Sequence, residues 1–237
     1  MIDFQCEGYH DINDYIKLIA ILRSPEGCPW DRVQTHESIR QNCLEEAYEV
    51  CEAIDEKDPD HLKEELGDLL MQIIFHAGIE EDAGHFNFSD VCDASCRKLI
   101  YRHPHVFGDR EANRGAEAAE VWEKAKRREH GQESTADAID GVARTLPGLW
   151  RAQKILRKSA NAGYEYKAGL QELAAGFENS DTDDAESAFG ELIFAAAELA
   201  RRKGIDAERA VQRRCDRFAD EFRLTHQDIL DIHQEDK

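Results

Sequence analysis

Cationic residues are scarce in this chain: 30 Lys and Arg stand against 50 Asp and Glu, a formal charge of −20 over 237 residues. Nucleic-acid backbones are held by clustered cations, so neither DNA nor RNA is expected as a partner. Long apolar runs are missing too. No stretch approaches the ~20 residues of a membrane span. Met1 to Asp14 holds four acids and almost no apolar run, so neither a signal peptide nor a membrane role is expected. The seven cysteines include no Cys-x-x-Cys pair, the close spacing typical of structural zinc. Cys92 and Cys96 lie one helical turn apart, and Cys43 and Cys51 flank an acidic stretch; the expectation is reduced, buried thiols in a cytoplasmic protein. At 41% hydrophobic residues the chain can bury a core, as one large domain or two small ones.

What is present in abundance is acid, and it is patterned. From Thr35 to Gly78 the periodicity predicts two helices, broken at Lys57-Asp58-Pro59-Asp60. The first carries Glu45, Glu46 and Glu49, and the second carries Glu65 and Asp68. Glu46 with Glu49, and Glu65 with Asp68, are three apart and so are surface neighbours on a helix. Cys43, Ala47, Val50 and Ile54 form an apolar stripe on the first helix, and Leu62, Leu66, Leu69 and Ile73 do so on the second. Glu46 and Glu65 fall roughly 75° off these stripes, and Glu49 and Asp68 roughly 135° off on the same side. Packing the stripes together would bring four carboxylates to one seam, while Glu45 and Glu64 point nearly away. A charge run by itself is most simply a solvated face, but the repeated spacing and matched sidedness favour a site. Clustered carboxylates repel unless a cation compensates them. An all-oxygen donor set suits magnesium or manganese, and magnesium commonly bridges to substrate phosphates.

Several words in order then become specific. Glu45-Glu46-x-x-Glu49 followed by Glu65-x-x-Asp68 resembles the signature of the all-α nucleoside triphosphate pyrophosphohydrolases. Gly27-Cys28-Pro29-Trp30-Asp31, Gln34-Thr35, Gly67-Asp68-Leu69-Leu70 and Arg102-His103-Pro104-His105-Val106-Phe107 narrow the resemblance to MazG proteins, strongly from Ile12 to Lys126. It implies an all-α fold and Mg²⁺-dependent (or Mn²⁺-dependent) hydrolysis of nucleoside triphosphates to monophosphate and pyrophosphate. Glu46, Glu49, Glu65 and Asp68 would hold the metal, and Glu45 would help position or deprotonate the attacking water. Lys98 and Arg102, four apart on one helix, would neutralise the phosphates. Trp30 would wall the base pocket, with Asp31 and Gln34 supplying hydrogen bonds. A di-iron carboxylate bundle needs Glu-x-x-His repeats on facing helices, and the one such spacing, Glu7 to His10, lies elsewhere.

Around this core, Ile12 to Leu22 reads as an amphipathic helix ended by Ser24-Pro25-Glu26-Gly27. Thr35 is a candidate N-cap with Glu37 in the first turn. After Asp68 the second acid helix is apolar nearly all round, through Leu69, Leu70, Met71, Ile73, Ile74 and Phe75. Such a helix is buried on most sides, so a homodimer with this helix near its interface is expected. His76 reads as a packed core residue. Gly84 ends the helix, and Asn87 or Ser89 caps the next, which runs to about Arg102. Phe107 to Asn113 reads as a loop and Ala116 to Arg128 as a helix. The expected organisation is a catalytic domain over residues 1–130, a linker over 131–147, and a degenerate copy over 148–237. In that copy Gly190-Glu191-Leu192-Ile193-Phe194 echoes Gly67-Asp68-Leu69-Leu70, but Ala188 stands where Glu65 would be. Only scattered acids such as Glu172 and Glu178 remain of the other cluster, and Arg213 and Arg217 repeat the spacing of Lys98 and Arg102. The rival reading is a weakly active or inactive nucleotide-binding protein derived from the same fold.

Overall fold

The computed structural model describes residues 4–108, 115–132, 134–167, 169–181 and 184–225. Among these there are eleven α-helices and no strand, and no helix is long and apolar enough to cross a membrane. The chain divides into two units, Met1–Trp122 and Glu123–Lys237.

The first unit begins with α1 (Ile12–Arg23), whose N-terminus is closed by a reciprocal capping box between Asp11 and Asp14. The chain then turns sharply. Cys28 N–H donates to the Leu22 carbonyl at 2.8 Å, and a Cβ at Gly27 would collide with the Ile21 and Leu22 carbonyls. Only glycine fits that approach. A single 3-10 turn, Asp31–Val33, precedes α2 (Arg40–Glu56). Lys57 caps α2 in the left-handed conformation, φ 61. Asp58 then caps α3 (Pro59–Asp82) by accepting from Asp60 N–H and His61 N–H, with Pro59 at the first helical position. Gly84, at φ 77, makes the turn after α3. Asn87 rather than Ser89 caps α4 (Phe88–Arg102), with Asp90 completing the box. A short α5 (Pro104–Phe107) and α6 (Gly115–Glu129) follow; residues 109–113 of the expected loop lie outside the described residues. Ile19, Ile39, Ile74 and Phe75 form the core, surrounded by Tyr15, Ile16, Leu22, Leu70 and Met71, and α3 packs against α1, α2 and α4.

Three expectations need correction here. Thr35 does not cap α2, which starts five residues later behind Ile39; the Thr35 hydroxyl accepts from Ser38 N–H at 3.3 Å instead, so the residues between form a turn of their own. The predicted stripe on α3 is not its buried face: Leu66 and Ile73 are 50% and 41% exposed, whereas Glu65, Gln72, Ile74, Phe75 and Ala77 are buried. Ile54 of α2 is exposed as well, and Ala53 is buried in its place. The thiols are not core fillers either, since five of the seven are exposed and only Cys28 and Cys43 are partly covered.

The second unit holds α7 (Thr135–Asp140), α8 (Gly148–Asn161), α9 (Leu170–Glu178), α10 (Ala185–Arg202) and α11 (Ala207–Thr225). Helix α7 lies inside the stretch read as a linker. A Ser134–Asp137 capping box starts it and Ala138 is buried, so this segment is structured despite its polar composition. Helix α10 packs against α8, α9 and α11, as α3 does against α1, α2 and α4. The core is small, with Ala152, Leu156 and Ala197 at its centre and Leu149, Tyr166 and Phe194 around them. Buried Glu198 is held by Arg201 (2.6 and 2.9 Å) and Arg202 (2.7 Å). Chiefly the Arg201 hydrogen bond, against an opposing burial effect, lowers its carboxyl from the usual 4.5.

Substituting Gly27→Ala is expected to destabilise the protein by about 2–4 kcal/mol, read by denaturant unfolding. For Glu198, a depressed folded pKa means stabilisation that is present above the unfolded value and lost as pH falls through the folded one. Glu198→Gln should therefore cost about 1–3 kcal/mol near neutrality, a penalty that shrinks as the wild type is taken below pH 4.5; thermal unfolding of both proteins across this range checks it.

Candidate metal centre

The α2–α3 hairpin fixes the acids relative to one another. The left-handed turn at Lys57 and the Asp58 cap reverse the chain within two residues, so α3 returns beside α2. One carboxylate oxygen each of Glu46, Glu49 and Glu65 lies within 4.8 Å of the others. Glu46 and Glu49 are half-buried, and Glu65 is only 9% exposed. Burial raises the Glu46 carboxyl, and the charges of Asp68, Glu49 and Glu65 raise it further. Burial and then Glu49 raise Glu65, with His61 opposing and Asp68 reinforcing. Asp68 is outside the tight triple, but its charge acts on Glu46, Glu65 and Tyr15. It borders the same centre.

These donors fit a hard divalent cation. Oxygens bound to Mg²⁺ at 2.0–2.1 Å in an octahedron stand about 2.9 Å apart when adjacent and about 4.1 Å when opposite. The oxygens of the triple lie within 4.8 Å of one another, so closing on such an ion is a short adjustment. The raised pKa values of Glu46 and Glu65 are what a cation would relieve.

Two residues of this centre were not singled out from the sequence as belonging to it. Tyr15 of α1 donates its hydroxyl to the Gly67 carbonyl at 3.2 Å. Burial first, then Asp68 and Glu46, raise its pKa. The period of α1 marked it only as apolar. His61 sits between Glu56, at 2.9 Å from Nδ1, and Glu65, at 3.2 Å from Nε2. Its pKa is raised, first by the Glu56 hydrogen bond. Its i,i+4 spacing to Glu65 was the available signal.

The remaining expected site residues are more dispersed in character. Glu45 is exposed. Trp30 precedes the 3-10 turn and is 57% exposed; Asp31 opens that turn, half-buried. The Gln34 amide is engaged locally, donating to the Trp30 carbonyl at 2.9 Å and accepting from the Ser38 hydroxyl at 2.6 Å. Lys98 is exposed, whereas Arg102 is 6% exposed with its guanidinium 5.2 Å from the centre of the Trp122 ring. Lys98 and Arg102, though both on α4, thus sit in different environments.

Comparison with known proteins bears on this arrangement. A family model described as the MazG nucleotide pyrophosphohydrolase domain matches residues 34–107, the stretch that contains Glu45, Glu46, Glu49, Glu65 and Asp68. The chain is 39% identical over 227 residues to a nucleoside triphosphate pyrophosphohydrolase of Escherichia coli K12, covering 90% of this chain and 86% of that one. It is 38% identical over 217 residues to the nucleoside triphosphate pyrophosphohydrolase/pyrophosphatase MazG of Thermotoga maritima, covering 89% and 83%. An uncharacterised Bacillus subtilis protein, YabN, is 36% identical over 225 residues, which is 90% of this chain and 46% of the other.

Removing one charge from the triple should relieve repulsion. In magnesium-free buffer Glu49→Gln is expected to melt at a higher temperature than wild type. Added Mg²⁺ should stabilise the wild type, by about 2.7 kcal/mol at a hundred times its Kd, and leave the variant nearly unmoved. Differential scanning calorimetry with and without Mg²⁺ reads both effects.

Proposed function

The chain belongs to the MazG family, and on that premise we propose that it is an enzyme hydrolysing nucleoside triphosphates to nucleoside monophosphate and pyrophosphate with Mg²⁺ (or Mn²⁺). The observation that carries this reading is the convergence of Glu46, Glu49 and Glu65 from two helices, with Asp68 beside them. Bound there, the ion would supply Lewis acidity toward the phosphate oxygens and toward water. The chain's own residues do the rest. Glu46, Glu49, Glu65 and Asp68 hold the charge in place. Glu45, on the solvent side, orients the water that attacks the α-phosphorus and takes its proton. Lys98 and Arg102 offset charge on the phosphate chain, Arg102 from a buried position where screening is weak. Trp30 and Asp31 face the nucleoside, while Gln34 braces the segment that carries them.

The same reading takes residues 1–130 as the catalytic domain and 148–237 as a degenerate second copy, with Glu191 standing where Asp68 would be; the two compact units divide at Trp122. In that copy Ala188 replaces Glu65, and Glu191 accepts a hydrogen bond from the Tyr166 hydroxyl at 3.0 Å. The exposed Leu66 and Ile73 on α3 fit a homodimer interface. Turnover of nucleoside triphosphates in the cytoplasm would control the composition of the nucleotide pool.

The direct test is pyrophosphate release from mixed nucleoside triphosphates with Mg²⁺. Glu49→Gln is expected to lower kcat by at least about 100-fold. Nucleotide binding without release by the wild type would favour the rival reading, a sensor that has lost its chemistry. For the dimer, Leu66→Glu is expected to shift the sedimentation coefficient to that of a single chain.

A further inference from the structure

Away from the carboxylates, three histidines and one glutamate form a connected polar cluster in the first unit. His36 lies in the segment between the 3-10 turn and α2, His76 and Glu80 lie on α3, and His85 is in the turn that follows. His36 Nε2 stands 2.7 Å from Glu80 Oε1, and His85 Nδ1 stands 2.6 Å from Glu80 Oε2. His36 Nδ1 stands 2.7 Å from His76 Nδ1. The His36 and His76 rings lie nearly parallel, at 11°, with centroids 5.0 Å apart. The proton positions follow from donor logic. A carboxylate only accepts, so His36 donates from Nε2 and His85 from Nδ1. Neutral His36 then has a lone pair at Nδ1, and His76 Nδ1–H donates to it. His76 is therefore half of a directional contact and not simply a packed core residue.

This cluster sits under a segment with a job in the proposed site. Trp30 to Ser38 is internally braced: Gln34 ties to the Trp30 carbonyl, Ser38 ties to Gln34, and Thr35 N–H donates to Ser38 Oγ at 2.9 Å. Arg32 Nη1 adds a tie to the Pro25 carbonyl at 3.1 Å. The segment therefore moves as one piece. Ile39 anchors its end in the core, but an apolar contact fixes depth better than rotation. Hydrogen bonds are directional. Trp30, more than half exposed, is set by the backbone beneath it more than by packing.

We propose that His36 is a positioning residue for the reaction: the 3-10 turn of the Trp30–Gln34 segment packs on α1, and the His85–Glu80–His36–His76 relay ties the end of that segment to α3, so placing the nucleoside end of the substrate. This rests on the reading that the segment faces the nucleoside. The shifts agree with the geometry: His85 and then His36 lower Glu80, and burial and then His36 lower His76. His76 lies eight residues beyond Asp68, about 12 Å along the helix axis. The relay therefore acts on substrate placement and not on the metal.

The experiment compares wild type, His36→Ala, His36→Gln and Glu80→Gln, each with Mg²⁺. Hydrogen exchange of the 31–39 amides is measured together with kcat and KM for nucleoside triphosphates. His36→Ala is expected to speed exchange in that segment and raise KM on the order of 10-fold, with kcat and the Mg²⁺ requirement little changed. His36→Gln keeps a donor near the Nε2 position and should recover most of both effects, and Glu80→Gln should fall between them. Faster exchange with KM unmoved would overturn the proposal, as would unchanged exchange in every variant. If His36→Ala does not fold, the graded pair His36→Gln and Glu80→Gln decides. If the wild type itself releases no pyrophosphate, the proposed activity fails on its own. ATP affinity by calorimetry then replaces KM, and a His36→Ala affinity equal to wild type overturns the positioning role.

Discussion

Three carboxylates held within a few ångströms of one another are the constraint on which the first unit is built. Left alone, these carboxylates repel one another and push the helices apart, and burial with the neighbouring charges makes Glu46 and Glu65 weaker acids. Their closeness persists because the surrounding structure over-determines it. The Lys57–Asp58–Pro59 reversal fixes the hairpin, and the core of Ile19, Ile39, Ile74 and Phe75 clamps α3 against its neighbours. Tyr15 and His61 then tie the polar side, one to the Gly67 backbone and one directly to Glu65. Local cost at a functional centre offset by stability elsewhere is a common division of labour in enzymes.

Much of this was legible beforehand because it is local. Acid spacing on a helix is a matter of three residues, and the Lys57–Asp60 break announces itself through Pro59 and a capping aspartate. Gly84 ends a helix and Asn87 starts one, as their chemistry suggests. The stripe on α3 misled for a different reason. A helix that is apolar on most sides has no unique wet face, so periodicity cannot say which side meets a neighbour; Glu65 turned inward and Leu66 outward. The roles of Tyr15, His61 and His36 depend on contacts made across the fold or across a turn, which an apolar/polar pattern does not encode. Arg102 and Lys98 share a helix face in projection, yet one is covered by Trp122, twenty residues further along the chain.

The second unit has a parallel scheme of neighbours, with α10 contacting α8, α9 and α11 as α3 contacts α1, α2 and α4, and a tyrosine hydroxyl, that of Tyr166, donates to Glu191 on α10. Ala188 stands on α10, and α9, which packs against it, is only nine residues long against seventeen for α2. Among the described residues the carboxylate triple belongs to the first unit, where it is a local cost carried by the surrounding packing.

The solvent-facing thiols have a practical corollary. Cys6, Cys51, Cys92, Cys96 and Cys215 are spread over both units and open to oxidants, and an accessible cysteine exchanges with others once a fraction ionises. Under air, separate copies can become stapled sulfur to sulfur at several places, giving covalent aggregates that mimic a native pair. Self-association of this molecule is therefore meaningful only when its sulfurs are kept reduced.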